Sequence, residues 1–282
     1  AMERKEDGAS TYTVVATPVE GSVFQGWYTN RDCTTLVTTN STIDVTEIAP
    51  ADAKDYYAKF DEGGGEVEVP GGYCEQDYLK LYAFLEMADA DGVKNGTKLN
   101  EDYDPTDPTT WGTTNEEGQS TITWLERTTG EGEDEVTVRY LLIFNAPASD
   151  LCGQLDLSGC KELQEVYVQN NTLTQVNVSG SKIQELDCSG NRLTELNVSG
   201  CGFLTNLVCD NNQLTALALA DCRQLTTVDC SGNQLTALDF SATNALTTLN
   251  CENNRLSALT FNNMSYPIHV DCSGNQLTDL NT

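Results

Sequence analysis

The chain has 282 residues, with 43 acidic against 15 basic and a formal net charge of −28. That balance repels phosphate backbones and anionic bilayer surfaces, so nucleic acid is not an expected partner. No apolar run approaches the roughly 20 residues that span a bilayer, and the opening AMERKEDGAS lacks the apolar stretch of a signal peptide. Residues 9–61 read as one small β-rich unit. STYTVVATPVEGSVFQGWYTN alternates apolar and polar residues, and DYYAKFD closes the unit; both read as strands. Phe24 and Trp27 are its expected core anchors.

The run from Ala16 to Tyr28 follows A-T-P-x-E-G-x-x-F-x-G-W-Y, and Ala58–Phe60 supplies a closing A-x-F. It resembles the internalin B-type (Listeria–Bacteroides) repeat, although the Gly-rich hairpin usual before the first strand is missing. The resemblance implies a β-grasp-like module of the kind strung along bacterial surface proteins. Residues 62–72, EGGGEVEVPGG, read as a linker.

Residues 73–150 read as a solenoid cap. DYLKLYAFLEMADADG puts Tyr78, Leu81, Tyr82 and Leu85 on one helical face, with Gly92 as the stop. DADGVKNG looks like a calcium loop, but that register puts Met87 first and Lys98 twelfth, where Asp and Glu belong. A polar helix exit is the better reading. EDYDPTDPTTWG is a loop, TITWL and VTVRYLLIF are strands, and Trp111 and Trp124 stand just ahead of the repeats.

Residues 151–282 repeat with period 20–21. One slot runs Val168, Cys188, Cys209, Cys230, Cys251, Cys272. Ahead of it stand Val166, Leu186, Leu207, Val228, Leu249 and Val270. Three residues after it comes an asparagine in every copy: Asn171, Asn191, Asn212, Asn233, Asn254 and Asn275. The unit carries the leucine-rich-repeat signature. One coil of 21 residues cannot bury its own leucines; stacked coils bury them in columns, with short parallel strands about 4.8 Å apart. The asparagine is expected to satisfy the backbone groups that each sharp turn leaves inside. The fold expected is thus a leucine-rich-repeat solenoid with short parallel strands and little helix. A helix-plus-strand cap and a small β-rich domain precede it.

A slot that accepts valine is small and apolar, so its cysteines are read as core filling and reduced. The second slot, Cys160, Cys201 and Cys222, exchanges with Ser181, Thr243 and Met264, which a ligand set would not tolerate. There is no C-x-x-C and a lone histidine, His269, so no metal, cofactor or catalytic residue is expected. The last copy has Pro267 in place of its first leucine, and Leu277 and Leu280 lie near its end. Its edge is expected to be covered by further chain or by self-association.

Two columns of strand residues flank the central leucines and face outward on the concave side. One holds Glu165, Glu185, Asn206, Thr227, Thr248 and His269; the other holds Tyr167, Asp187, Val208, Asp229, Asn250 and Asp271. Neither contains Lys or Arg. They are the candidate surface for a polar or basic partner, with a plain solvated sheet face as the alternative. The order of helix, tryptophans and repeats resembles the N-terminal segment of leucine-rich surface proteins from gut bacteria. That resemblance implies non-enzymatic extracellular or cell-surface recognition of a host or cell-wall protein or glycan, without membrane insertion. The alternative is a structural spacer with no ligand of its own.

Overall fold

The computed structural model describes residues 2–3, 11–15, 23–28, 36–38, 42–46, 57–61, 67–115, 118–129, 135–261 and 268–278. The chain divides into two compact units, Ala1–Glu68 and Val69–Thr282. The division falls inside the stretch expected as a linker. The later part of that stretch is already bound to the second unit: the Arg139 N–H donates to the Gly72 carbonyl at 2.6 Å, and the Cys74 N–H to the Arg139 carbonyl at 2.8 Å.

The first unit holds β1 (Met2–Glu3), β2 (Thr11–Val15), β3 (Val23–Tyr28), β4 (Leu36–Thr38), β5 (Thr42–Thr46) and β6 (Tyr57–Asp61). They form two antiparallel three-stranded sheets, β1-β2-β5 and β4-β3-β6. The closing A-x-F lies on β6, where Phe60 pairs with Phe24 and Ala58 with Trp27 along the register. Residues 16–22, the first half of the resemblance, lie outside the described residues.

The second unit opens with α1 (Glu75–Leu85), which has Glu75 and Asp77 in its first turn, where carboxylates suit the helix dipole. The helix ends at Leu85, well before Gly92. The Asp89 carboxylate redirects the chain instead, accepting from the N–H groups of Asp91 and Val93 at 3.0 Å each. A short second helix, α2 (Asn95–Leu99), follows; the sequence pattern did not suggest it. The buried face is Tyr78, Leu81, Phe84 and Leu85. Tyr82, expected there, is half-buried, because α1 turns Phe84 inward to meet Phe144 edge-on at 5.8 Å between ring centroids. Trp111 is fully buried 4.5 Å from the Tyr78 ring, and its indole N–H donates to the Asp104 carbonyl at 3.1 Å.

The hairpin β7 (Ile122–Thr129) and β8 (Val136–Asn145) starts the main sheet. On the other side of the coil lie the parallel strands β9 (Cys152–Asp156), β11 (Thr172–Asn177) and β13 (Glu195–Asn197), and the pair β16 (Ala237–Phe240) and β18 (Ala258–Phe261). The main sheet continues through β10 (Glu165–Tyr167), β12 (Glu185–Asp187), β14 (Asn206–Val208), β15 (Thr227–Asp229), β17 (Thr248–Asn250) and β19 (His269–Asp271), all parallel. The second half of each described repeat has two inward apolar residues separated by one position, such as Val176 and Val178 or Leu238 and Phe240. It forms strand in most coils, though residues 216–219 run without strand pairing. The result is a parallel β-solenoid with little helix.

Between the two faces lie the leucine columns and the cysteine slot. Val168, Cys188, Cys209, Cys230 and Cys251 are all fully buried. The ten cysteines among the described residues are unpaired, seven of them buried. Burial pushes the thiols of Cys222 and Cys251 up to about 12, which keeps them protonated and unreactive. The equivalent residues of the last copy, Val270 and Cys272, are only half-buried. Pro267 and Leu280 lie outside the described residues.

Each asparagine bridges two coils. The amide of Asn233 donates to the carbonyls of Cys209 and Cys230 at 3.0 and 3.1 Å, and its oxygen accepts from the Leu214 N–H at 3.0 Å. Asn191, Asn212, Asn254 and Asn275 repeat this pattern, and Asn171 carries it back to Ala146 and Leu151. The residue before each is left-handed, and it alternates: Asn170, Gly190, Asn211, Gly232, Asn253, Gly274. The reason is steric. A Cβ on Gly190, Gly232 or Gly274 would come within 2.5, 2.8 or 2.6 Å of the asparagine oxygen one coil earlier.

Candidate functional site

The central residue of each main-sheet strand points inward, and its two neighbours face the concave side. Register fixes the columns. Glu165, Glu185, Asn206, Thr227, Thr248 and His269 pair in succession, as do Tyr167, Asp187, Val208, Asp229, Asn250 and Asp271. The candidate residues of the sequence therefore come together as one face. β8 extends it by a rung, adding Ile143 beside Glu165 and Asn145 beside Tyr167.

The carboxylates have local duties. One oxygen of Asp187 accepts from the Ser189 N–H and hydroxyl at 3.1 and 2.7 Å; Asp229 does the same with Ser231 at 3.0 and 2.7 Å. The Ser273 N–H holds the Asp271 carboxyl below its usual range. The other Asp229 oxygen accepts from the Asn250 amide at 3.0 Å. Tyr167, the large residue of the face, donates its hydroxyl to Glu185 at 2.6 Å. Its burial, and then that bond, push the phenol up.

The sequence reading missed Asp210, which stands one residue past the cysteine slot. Burial, then the Asp229 and Asp187 charges, raise its carboxyl. The same one-per-coil period would have found it, since Gln169, Ser189, Ser231, Glu252 and Ser273 share that position. No ion pair among the described residues touches this face. Its carboxylates are therefore not ion-paired among the described residues.

Among the described residues no three His, Cys, Asp or Glu side chains converge as metal ligands. The stretch that looks like a calcium loop holds a lysine instead: the Lys98 ammonium lies 2.8 Å from the Asp89 carboxylate and 2.8 Å from the Asp150 carbonyl. No helix of the described residues is long and apolar enough to cross a membrane.

Residues 182–210 match the family model for the leucine-rich repeat. A comparison with curated proteins finds no match. Among solved structures the chain is similar to the functional domain of InlJ from Listeria monocytogenes, described as including a cysteine ladder. The identity is 24% over 51% of this chain and 43% of that one, with a TM-score of 0.34. The chain thus spans less than half of that domain. It is also similar to the leucine-rich-repeat ectodomain of the receptor kinase SOBIR1 from Arabidopsis thaliana, at 16% identity over 71% of this chain and 98% of that one, with a TM-score of 0.37.

Proposed function

We propose that the chain is a non-enzymatic recognition module, of the internalin-like bacterial surface type, that binds a protein or glycan partner through the concave strand face. The observation that carries this reading is the face itself: six rungs of outward residues in register, rich in carboxylates, with no ion pair answering them. Leucine-rich repeats generally serve protein–protein recognition, and the rigid stacking of coils suits that role by pre-organising the surface. Work outside the cell, on host or cell-wall material, belongs to the same reading. So does the assignment of residues 9–61 as an internalin B-type module and of 73–150 as a cap.

The test is a capture experiment against extracellular proteins and glycans, with wild type beside a variant carrying Glu185→Lys, Asp187→Lys and Asp229→Lys. Saturable capture by wild type, lost in the variant with melting unchanged, is the expected result. Capture that survives the variant moves the site elsewhere. A spacer role is favoured by one observation: the face lacks the aromatic and Arg anchors of energetic hot spots, and the hydroxyl of Tyr167 is already bound to Glu185. Absence of any saturable capture decides for it.

A further inference from the structure

Ahead of the first full repeat the solenoid has one turn without its own asparagine. Register aligns Asn145 with Tyr167, so Ala148, Ser149 and Asp150 stand where later coils have Asn170, Asn171 and Thr172. Serine is too short to bridge the turn. Asn171 accepts from the Leu151 N–H at 2.9 Å, as the asparagine after each later coil does for its leucine, and here it also takes the Ser149 N–H at 2.9 Å.

Two features follow. Ala148 and Asp150 both take left-handed backbone, at φ 49° and 54°. Alanine has no side-chain hydrogen bond to offset that conformation, which L-residues rarely adopt. Asp150 is also alone among its equivalents in the described repeats: Thr172, Arg192, Gln213, Gln234, Arg255 and Gln276 are not left-handed. Beside this turn, against the Asp89–Lys98 segment, lies a wide-mouthed surface cavity of about 590 Å³, open to solvent on one side. That volume is within the roughly 300–1,000 Å³ of small-molecule sites.

The lining is rich in acceptors. The Asp150 carboxylate makes no hydrogen bond or ion pair among the described residues, and it is exposed. The Ser149 and Thr172 hydroxyls spend their hydrogens on the carbonyls of Pro147 and Leu151, at 3.1 and 2.9 Å, leaving oxygen lone pairs free. Lys98 has two acceptors, Asp89 and the Asp150 carbonyl, so one of its three N–H donors is left. Val93, 41% exposed, and Ala148 give a small apolar wall. A metal cation has no place where the lysine ammonium already sits between its acceptors. An anion would meet the Asp89 and Asp150 carboxylates.

We propose that this cavity is a binding site for a neutral saccharide unit, a ligand with many hydroxyl donors and apolar C–H faces. The site lies at the cap joint and is separate from the concave face. Sugar hydroxyls donate to the Asp150 carboxylate and to the Ser149 and Thr172 oxygens, and one sugar oxygen accepts from Lys98.

The test is saturation-transfer NMR on the full chain with glucose, galactose, mannose and N-acetylglucosamine as separate probes. Two variants are chosen to keep the fold. Asp150→Gly suits left-handed backbone and removes the carboxylate. Thr172→Arg fills the cavity with a residue that the equivalent positions Arg192 and Arg255 already accept. Transfer to at least one sugar is expected for wild type, an affinity about tenfold or more weaker in Asp150→Gly, and no detectable transfer in Thr172→Arg, all at unchanged melting temperatures. No transfer from any of the four sugars, or transfer that survives Thr172→Arg, overturns the proposal. The concave-face triple variant should leave sugar binding as it is, so the two readings fail separately.

Discussion

Among the described residues five of the six ion pairs involve residues 73–150, the segment proposed as a cap, and none reaches past Lys182. The cap also gathers Tyr73, Tyr78, Tyr82, Trp111 and Trp124 into a ring cluster. From Leu186 onward the chain relies on neutral contacts repeated once per coil: leucine columns, thiols and the asparagine bridge. The difference teaches how each part meets its ends. A coil can hand its unsatisfied groups to the next identical coil. The cap has no earlier coil to lean on, so it closes the core with large rings and pins itself to the first repeat with charges, Lys80 to Asp156 and Arg127 to Glu162.

The sharpest break of that comparison is Trp111→Ala. Emptying a fully buried tryptophan site should cost about 3–5 kcal/mol. Denaturant titration should show it, and amide exchange should rise across 73–145 before it rises in residues 186–256. Uniform loosening of both regions would mean that cap and repeats unfold as one.

In the repeats the matching test is Asn233→Ala beside Gln234→Ala. The first strands two carbonyls and an N–H inside, at roughly 1–3 kcal/mol for each group left unmade. The second touches a half-buried side chain and should stay within about 0.5 kcal/mol. Equal denaturation midpoints would remove the asparagine bridge from the account.

Smaller effects should separate the thiols. Cys209→Val repeats what Val168 already does in the first copy and should cost less than about 1.5 kcal/mol. Cys209→Ser buries a hydroxyl and should cost about 1–3 kcal/mol. Thiol titration of the native chain should find few reactive groups, and about 11 after denaturation, one for each cysteine in the chain. A much lower count in denaturant without reductant would show disulfides.

Acid should act in opposite directions on the ion pairs where residues 73–150 join the first repeat and on Asp210 in the middle of the repeats. Burial works to raise Asp156, but the bonds from Lys80 and Ser158 outweigh it and hold the carboxyl low; Lys182 and then Arg127 hold Glu162 low. Carboxyls lowered by folding contribute stability above their unfolded pKa and lose it as pH falls through the folded one, which lies below the ordinary carboxylate range here. Asp210 is raised, so its contribution is present at low pH and lost as pH rises through its folded pKa. Buried Asp77 in the cap is raised too, chiefly by burial, and partly offsets the loss there. Mild acid should therefore leave the repeats intact or slightly firmer, and stronger acid should release the cap first. Tryptophan fluorescence, with Trp111 and Trp124 in the cap, followed against far-UV dichroism, reads this out.

The repeats were legible because each of their rules is local and stated six times. Column leucines, the valine-tolerant thiol slot and the asparagine are all fixed by a period, and the period also assembles the concave face. The cap was legible only in outline. α1 stops at Leu85 because Asp89 turns the chain and Phe84 finds Phe144, and nothing in the 3.6-residue pattern carries either fact. Asp210 escaped because one of two acids in a column otherwise of Ser and Gln reads as surface variation until register sets it beside Asp187 and Asp229.

By itself the sequence determined the coil: its length, its inward residues, its turn asparagine and its acidic outer columns, since all follow from apolar spacing and side-chain chemistry along one stretch of chain. The alternation of Asn and Gly before the bridge was visible there too, but its cause lay between coils, in an asparagine oxygen 2.5 Å from where a Cβ on Gly190 would stand. Only the tertiary structure decided what happens where repetition stops. Ser149 in an asparagine position, Asp150 turned left-handed and Lys98 seated in place of a cation are each ordinary in sequence. They make a cavity because α2 and the first full coil, more than 50 residues apart along the chain, are brought together there.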